Sequence, residues 1–262
     1  MGAGGFLHRD VPALGQRRLF RVGLSHSYGI DERGVEEGLE RIQYVFWNPR
    51  ATVMTGPLRR ALQRDRARTV VAGGPTLAYF PWQLAKYVDR ARLLLGTDYL
   101  DVLQLYWLGK MSRYSQGMID ELCRLRESGK VRALAVSIHD RERAGRLAED
   151  SPLDALMLRY NAAHPGAERD IFPHLARRRP AVVSYTATSW RKLLTPPRGW
   201  TGPAMTAGDC YRFVLSSPHV DVVLMGPKDA GQLRENLAAL ERGPLTPEED
   251  AWMREYGRRV HG

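Results

Sequence analysis

Eight short apolar runs, each followed by a stretch of amphipathic helical period, constrain this 262-residue chain more than anything else in it. The strand-like runs are Leu19–Leu24, Tyr44–Trp47, Thr69–Gly73, Asp101–Trp107, Arg132–Ser137, Asp154–Leu158, Ala181–Ser184 and Asp221–Leu224. Helical stretches fall near 32–42, 54–64, 82–95, 114–128, 140–149, 168–179, 207–216 and 230–241. A strand that is followed by a helix can pair with the next strand in parallel, because the helix carries the chain back. Eight such units with short connections predict an α/β fold, a closed (β/α)8 TIM barrel. Local punctuation agrees with the phase. Asp140 is placed to cap one helix and Gly129 to end another, and Leu245-Thr-Pro-Glu-Glu opens a terminal helix like a capping box. The expectation is one barrel domain over 1–262, with an N-terminal extension (1–17), a long loop after the seventh strand (186–206) and a C-terminal helix (246–262).

Composition narrows the function classes. At 44% hydrophobic and 26% charged, the chain reads as neither disordered nor membranous. No apolar run approaches the roughly 18 residues of a membrane-spanning helix. The first residues lack the apolar core of a secretory signal, and Phe6 stands where a myristoylation motif needs serine or threonine. Cys123 and Cys210 have no ligand-like spacing, so two reduced thiols and a cytoplasmic location are expected. The net charge of +10 comes largely from arginines scattered along helices, such as Arg59, Arg60 and Arg64, with no interleaved aromatic or glycine motif. They read as solvated faces rather than a nucleic-acid surface. The excess charge can draw an anionic ligand to the barrel mouth. The expected partner is a small molecule, with no nucleic acid and no membrane; the oligomeric state is left open.

The segment from Leu95 to Trp107, LGTDYLDVLQLYW, resembles the fourth-strand signature of the aldo-keto reductases, "LGxDYIDLYLLHW". Glu127–Ser137 is similar to that family's "GKVRAIGVSN", Leu158-Arg-Tyr-Asn161 to "QVEYN" and Val182–Tyr185 to "VVAYSPL". Met225–Leu237 resembles the cofactor segment "IPGxxxxxQLxENL". The motifs come in the family's order and spacing. The resemblance implies the same barrel, NADP(H) as cofactor, and carbonyl reduction by a tyrosine tuned by a lysine and supported by an aspartate and a histidine.

This chain departs from that set at every member. Trp47 stands for the aspartate, the run Arg50–Gly56 holds no tyrosine, Val70–Gly74 ends in glycine where the lysine belongs, and Tyr106 replaces the histidine. Of the residues that the family uses to hold the nicotinamide carboxamide, Ser137 is kept, while Ile138 and Met157 replace an asparagine and a glutamine. The resemblance implies that Tyr185 stacks on the nicotinamide. It also implies that Gly226 and Lys228 meet phosphate and that Gln232 and Asn236 meet the adenine side. The other reading of these last four is a merely inherited loop and helix.

Chemistry in a barrel lies in the loops after the strands. There Tyr106 is a candidate replacement acid, or a filler of vacated space together with Trp47. His26 and His139 follow the first and fifth strands and can face one mouth as acid–base groups; their spacing fits no metal motif, and no metal is expected. Tyr28, Trp47, Tyr79, Trp107 and Trp190 are expected to line an apolar pocket, with 186–206 as a lid or binding loop. The leading reading is a divergent aldo-keto-reductase-like protein with altered chemistry on a small apolar or aromatic substrate. Two alternatives stand beside it: a catalytically silent ligand-binding or regulatory barrel, and an NADPH-dependent carbonyl reductase with Tyr106 as donor.

Overall fold

The computed structural model of the chain describes residues 3–15, 17–25 and 28–261. A short helix α1 (Ala3–Leu7) and an antiparallel hairpin, β1 (His8–Val11) and β2 (Arg17–Phe20), come first. The barrel strands follow: β3 (Val22–Ser25), β4 (Tyr44–Phe46), β5 (Val70–Gly73), β6 (Leu100–Leu105), β7 (Val131–Ile138), β8 (Ala155–Arg159), β9 (Ala181–Tyr185) and β10 (Val222–Met225). They pair in parallel, in sequence order, and β10 closes on β3. Between them run α2 (Glu32–Arg41), α3 (Thr52–Arg64), α4 (Pro81–Leu95), α5 (Gln116–Glu127), α6 (Arg141–Glu149), α7 (Ala167–Asp170), α8 (Ala207–Ser216) and α9 (Ala230–Leu240); α10 (Pro247–His261) ends the chain. The expected (β/α)8 barrel is what forms.

Two expected elements divide. The run Leu19–Leu24 is not one strand, because the chain turns at Arg21 between β2 and β3. Its guanidinium is buried and donates to the carbonyls of Phe6 and Val220, at 2.8 and 2.6 Å. An arginine inside an apolar run gives no turn signal, so the break was hidden. The expected helix 168–179 is α7 followed by a 3-10 turn, Phe172–Ala176, where Pro173 lacks the N–H that an α-helix needs. The helix caps agree with the sequence: Asp140 accepts from the Arg143 amide at 3.0 Å, and Thr246 and Glu249 cap each other's amides.

Strand alternation sorts the core into two layers. Val102, Ala133, Ala135, Ala155, Ala181 and Val183 point into the barrel, where they pack with the larger Tyr44, Met157 and Leu224. Their neighbours Leu103, Leu134, Val136, Leu156, Val182 and Val223 point outward under the helices. The small alanines leave room for the larger side chains across the axis.

The floor of the barrel carries a device repeated on alternate strands. Asp101 at β6, Asp154 just before β8 and Asp221 just before β10 each accept an amide of the preceding strand: Val71, Leu134 and Val182, at 2.9, 2.9 and 2.8 Å. Each also pairs with an arginine, Arg66, Arg126 and Arg179 respectively. Before β4 the uncharged Gln43 does the same for the Phe20 amide at 3.0 Å.

Candidate functional site

The inward phase that buries alanines near the floor brings polar side chains to the mouth. Continuing from Val102 it presents Gln104 and Tyr106; from Ala133 and Ala135, Ser137 and His139; from Ala155 and Met157, Arg159; from Ala181 and Val183, Tyr185. All of them line one cavity of about 1210 Å³ at the C-terminal ends of the strands. Apolar wall comes from Phe46, Met111, Met157, Leu194, Met205 and Leu224, and much of one side from the loop after β9. In that loop Ser189, Trp190 and Arg191 hold φ of 49°, 56° and 70° in succession, a left-handed turn built without glycine.

At the heart of the cavity the Tyr185 hydroxyl lies 2.7 Å from His139 Nε2. Burial pushes the Tyr185 hydroxyl up to about 12, against the opposing pull of the Arg159 charge and a Ser137 hydrogen bond. His139 is held below the usual imidazole value, first by burial and then by the Arg159 charge, which favours a neutral ring. Arg159 and Tyr185 are register partners on β8 and β9, and Ser137 and Met157 pair one layer below. Trp107 packs on His139 with ring centres 4.9 Å apart. Its backbone has φ 34°, which ends the expected strand before Trp107, and its amide donates to Ser137 Oγ at 3.0 Å.

Tyr106 also lines the cavity but is tied into the barrel. Its hydroxyl accepts from the Gly74 amide at 3.0 Å and from the Asn48 side chain. Burial is the larger effect and pushes it up to about 12. Gly74 is required here, since a Cβ would lie 1.8 Å from the Gln104 carbonyl oxygen. Among the described residues no hydrogen bond joins Tyr106 to His139. His26, the remaining catalytic candidate, lies outside the described residues.

Of the five expected pocket aromatics, Tyr28, Trp107 and Trp190 line the cavity, and Tyr28 and Trp190 meet across its rim at 6.2 Å. Trp47 does not. It is fully buried among outward core residues, with Nε1 donating to Thr55 Oγ1 at 3.1 Å. The inward phase of β4 belongs to Tyr44 and Phe46, so position 47 points out. Tyr79 is also elsewhere: its hydroxyl donates to the Lys110 carbonyl, and it lines a separate shallow depression with Ser112 and Arg113. The sequence reading overlooked Arg159, although the alternation Ala155, Met157, Arg159 carries that signal.

The expected cofactor residues fall into two groups. Gly226, Lys228, Gln232 and Asn236 border the cavity together at the start of α9. Gly226 admits the Tyr28 ring, which would sit 2.0 Å from a Cβ. The amides at this helix start are already engaged: Asp229 accepts from the Gln232 amide at 2.8 Å, and Gln232 Oε1 accepts from the Lys228 amide at 3.0 Å. At the other end Ser137 Oγ is taken by Trp107, and Met157 Sδ accepts from Gln104 at 3.1 Å.

Residues 79–190 match the model of the aldo/keto reductase family. An aldo-keto reductase from Bacillus halodurans in its holo form superposes with a TM-score of 0.77, at 19% identity over 95% of both chains. The barrel has the fold of the aldo-keto reductases. One from Klebsiella pneumoniae in complex with NADPH gives 0.75 at 19% identity, over 95% of both chains. The glycerol dehydrogenase of Gluconobacter oxydans gives 0.73 at 18% identity, over 100% of this chain and 98% of that one. No curated protein matches the chain in sequence. Among the described residues, no helix of this aldo-keto reductase-like chain is long and apolar enough to cross a membrane.

Proposed function

We propose that the cavity is the active site of a divergent aldo-keto-reductase-like enzyme that performs acid–base chemistry on a small apolar or aromatic carbonyl compound. The observation that carries this reading is the 2.7 Å Tyr185–His139 pair inside the cavity, with Arg159 beside it. It brings together a tyrosine, a cation and a histidine, the same chemical types that the family uses, on β7, β8 and β9. With a proton on His139 Nε2, the phenol accepts from the ring and its own proton is free for a substrate oxygen. With Nε2 bare, the phenol donates to the ring instead. The pair therefore passes a proton in either direction. Tyr185 giving its proton to a carbonyl oxygen, while the adjacent carbon loses one to solvent, converts ketone to enol with no change of oxidation state.

NADP(H) held as the family resemblance implies fits these residues poorly. Ile138 and Met157 offer no amide to a nicotinamide carboxamide, and Ser137 is engaged. A phosphate at α9 would have to displace the Asp229 carboxylate from the helix start. No step is therefore assigned to the cofactor.

The test is deuterium incorporation from heavy water into a panel of aromatic and aliphatic ketones and aldehydes, read by NMR without cofactor, with NADPH consumption followed in parallel. Exchange lost in Tyr185→Phe is the expected result. NADPH-dependent reduction that survives Tyr185→Phe and is lost in Tyr106→Phe would overturn the reading in favour of an ordinary reductase. Neither exchange nor reduction across the panel would overturn it in favour of a silent binding barrel.

A further inference from the structure

We infer that the ligand of this cavity is a small apolar carboxylic acid and that Arg159 is the anchor for its carboxylate. The inference rests on the reading of the cavity as a small-molecule site, and it adds the class of molecule. Arg159 is half-buried at the end of β8, on the inward phase, and it lines the cavity. Among the described residues it has neither an ion pair nor a side-chain hydrogen bond.

Other arginines that reach into the protein are tied down. Arg21 meets the carbonyls of Phe6 and Val220, Arg66 meets Asp101, and Arg212 grips Glu249 with two bonds, of 2.8 and 2.7 Å. A guanidinium drawn partly out of water without such partners is an unmet demand for a planar anion, and a carboxylate matches its fork.

The charge around the cavity agrees. Lys110, Arg191 and Lys228 add cations at its rim, and Glu235 is the single carboxylate among the described lining residues. The other titratable groups that feel the Arg159 charge are His139 and Tyr185, which share a hydrogen bond, and His164, and none of them is a carboxylate. The remaining wall is apolar and suits a hydrocarbon or aromatic body. Because Arg159 and Tyr185 share a register on neighbouring strands, an acid held by the guanidinium places its adjacent carbons beside the phenol. A carbonyl one or two atoms from the carboxylate would then meet the proposed acid.

The experiment compares 3-phenylpropanoate with 3-phenylpropanamide, which has the same shape and no charge. Binding is read by quenching of the tryptophans that line the cavity, Trp107 and Trp190. The acid is expected to bind about ten- to a hundred-fold more tightly than the amide, the range of a charge-assisted pair of hydrogen bonds. Arg159→Gln should abolish that preference and Arg159→Lys should restore part of it. Should the variants not fold, the wild-type protein still decides: rising salt should weaken the acid and leave the amide unchanged. Equal binding of acid and amide, no binding of the acid up to about 10 mM, or a preference that persists in Arg159→Gln would each overturn the inference. Anion preference without deuterium exchange sinks the acid–base reading and leaves the anchor standing; exchange without anion preference does the reverse.

Discussion

Tyr106→Phe separates the structural from the chemical role of a tyrosine that lines the cavity. The hydroxyl receives the Gly74 amide at 3.0 Å and the Asn48 side chain, and both Gly74 and Asn48 are buried. Phenylalanine keeps the ring and its edge-on contact with Phe46, whose centre lies 5.6 Å away, so little packing is lost. What is lost is the acceptor. A buried donor without a partner costs about 1–3 kcal/mol. Two donors are orphaned here, but the cavity opens beside them and water can meet one, so the total should stay within about 1–3 kcal/mol. For a chain of this size each kcal/mol lowers the melting temperature by about 2–4 °C, which gives a fall of about 2–12 °C. The assay is thermal melting alongside deuterium exchange under identical conditions. Melting should drop while exchange per folded molecule is retained. An unchanged melting temperature with exchange abolished would refute the reasoning and return Tyr106 to the chemistry.

Other consequences are as direct. Gly226→Ala puts a methyl 2.0 Å from the Tyr28 ring, so the ring must leave the rim; affinity for cavity ligands should fall at least several-fold in a fluorescence titration while melting changes little. Asp221→Ala leaves Arg179 and Arg9 without their carboxylate and the Val182 amide without its acceptor, and should cost about 3–5 kcal/mol in a denaturant titration with no change in ligand affinity. His139 and His164 are both held below the usual imidazole value, chiefly by burial, His164 at about 4. The unfolded chain therefore takes up protons first as pH falls, so the stability tied to these rings is whole above about 6.5 and declines toward about 4. Melting followed across that window should show the decline, and His164→Asn should flatten it.

The barrel was legible because its information is periodic. Alternating runs and their separating helices specify strands and connections, and the sequence placed β4 to β10 within a residue or two. The hairpin strand β2 was not legible: it runs into β3 with only Arg21 between them, and only the tertiary partners of Arg21 reveal the turn. Ser137, Tyr185 and the start of α9, to which the motifs point as local strings, line the cavity. Trp47 was misassigned because motif position was followed where strand phase should have decided. The Tyr185–His139 pair joins residues 46 apart in sequence, and no local pattern announces a contact of that range. Arg159 lay in plain view of the alternation rule and was overlooked, because the family motif draws attention to the residues on either side of it.

The aspartate clasps beneath alternate strands bear on how a barrel can change trade. They fasten neighbouring strands at the end away from the cavity, each with one carboxylate, one strand amide and one arginine, or two arginines at Asp221. None of these partners lies at the mouth. A substitution at the rim therefore leaves the fastening intact and need only be tolerated by its immediate surroundings. Foundation and workshop stand at opposite ends of the same strands, so one can be refitted while the other holds still.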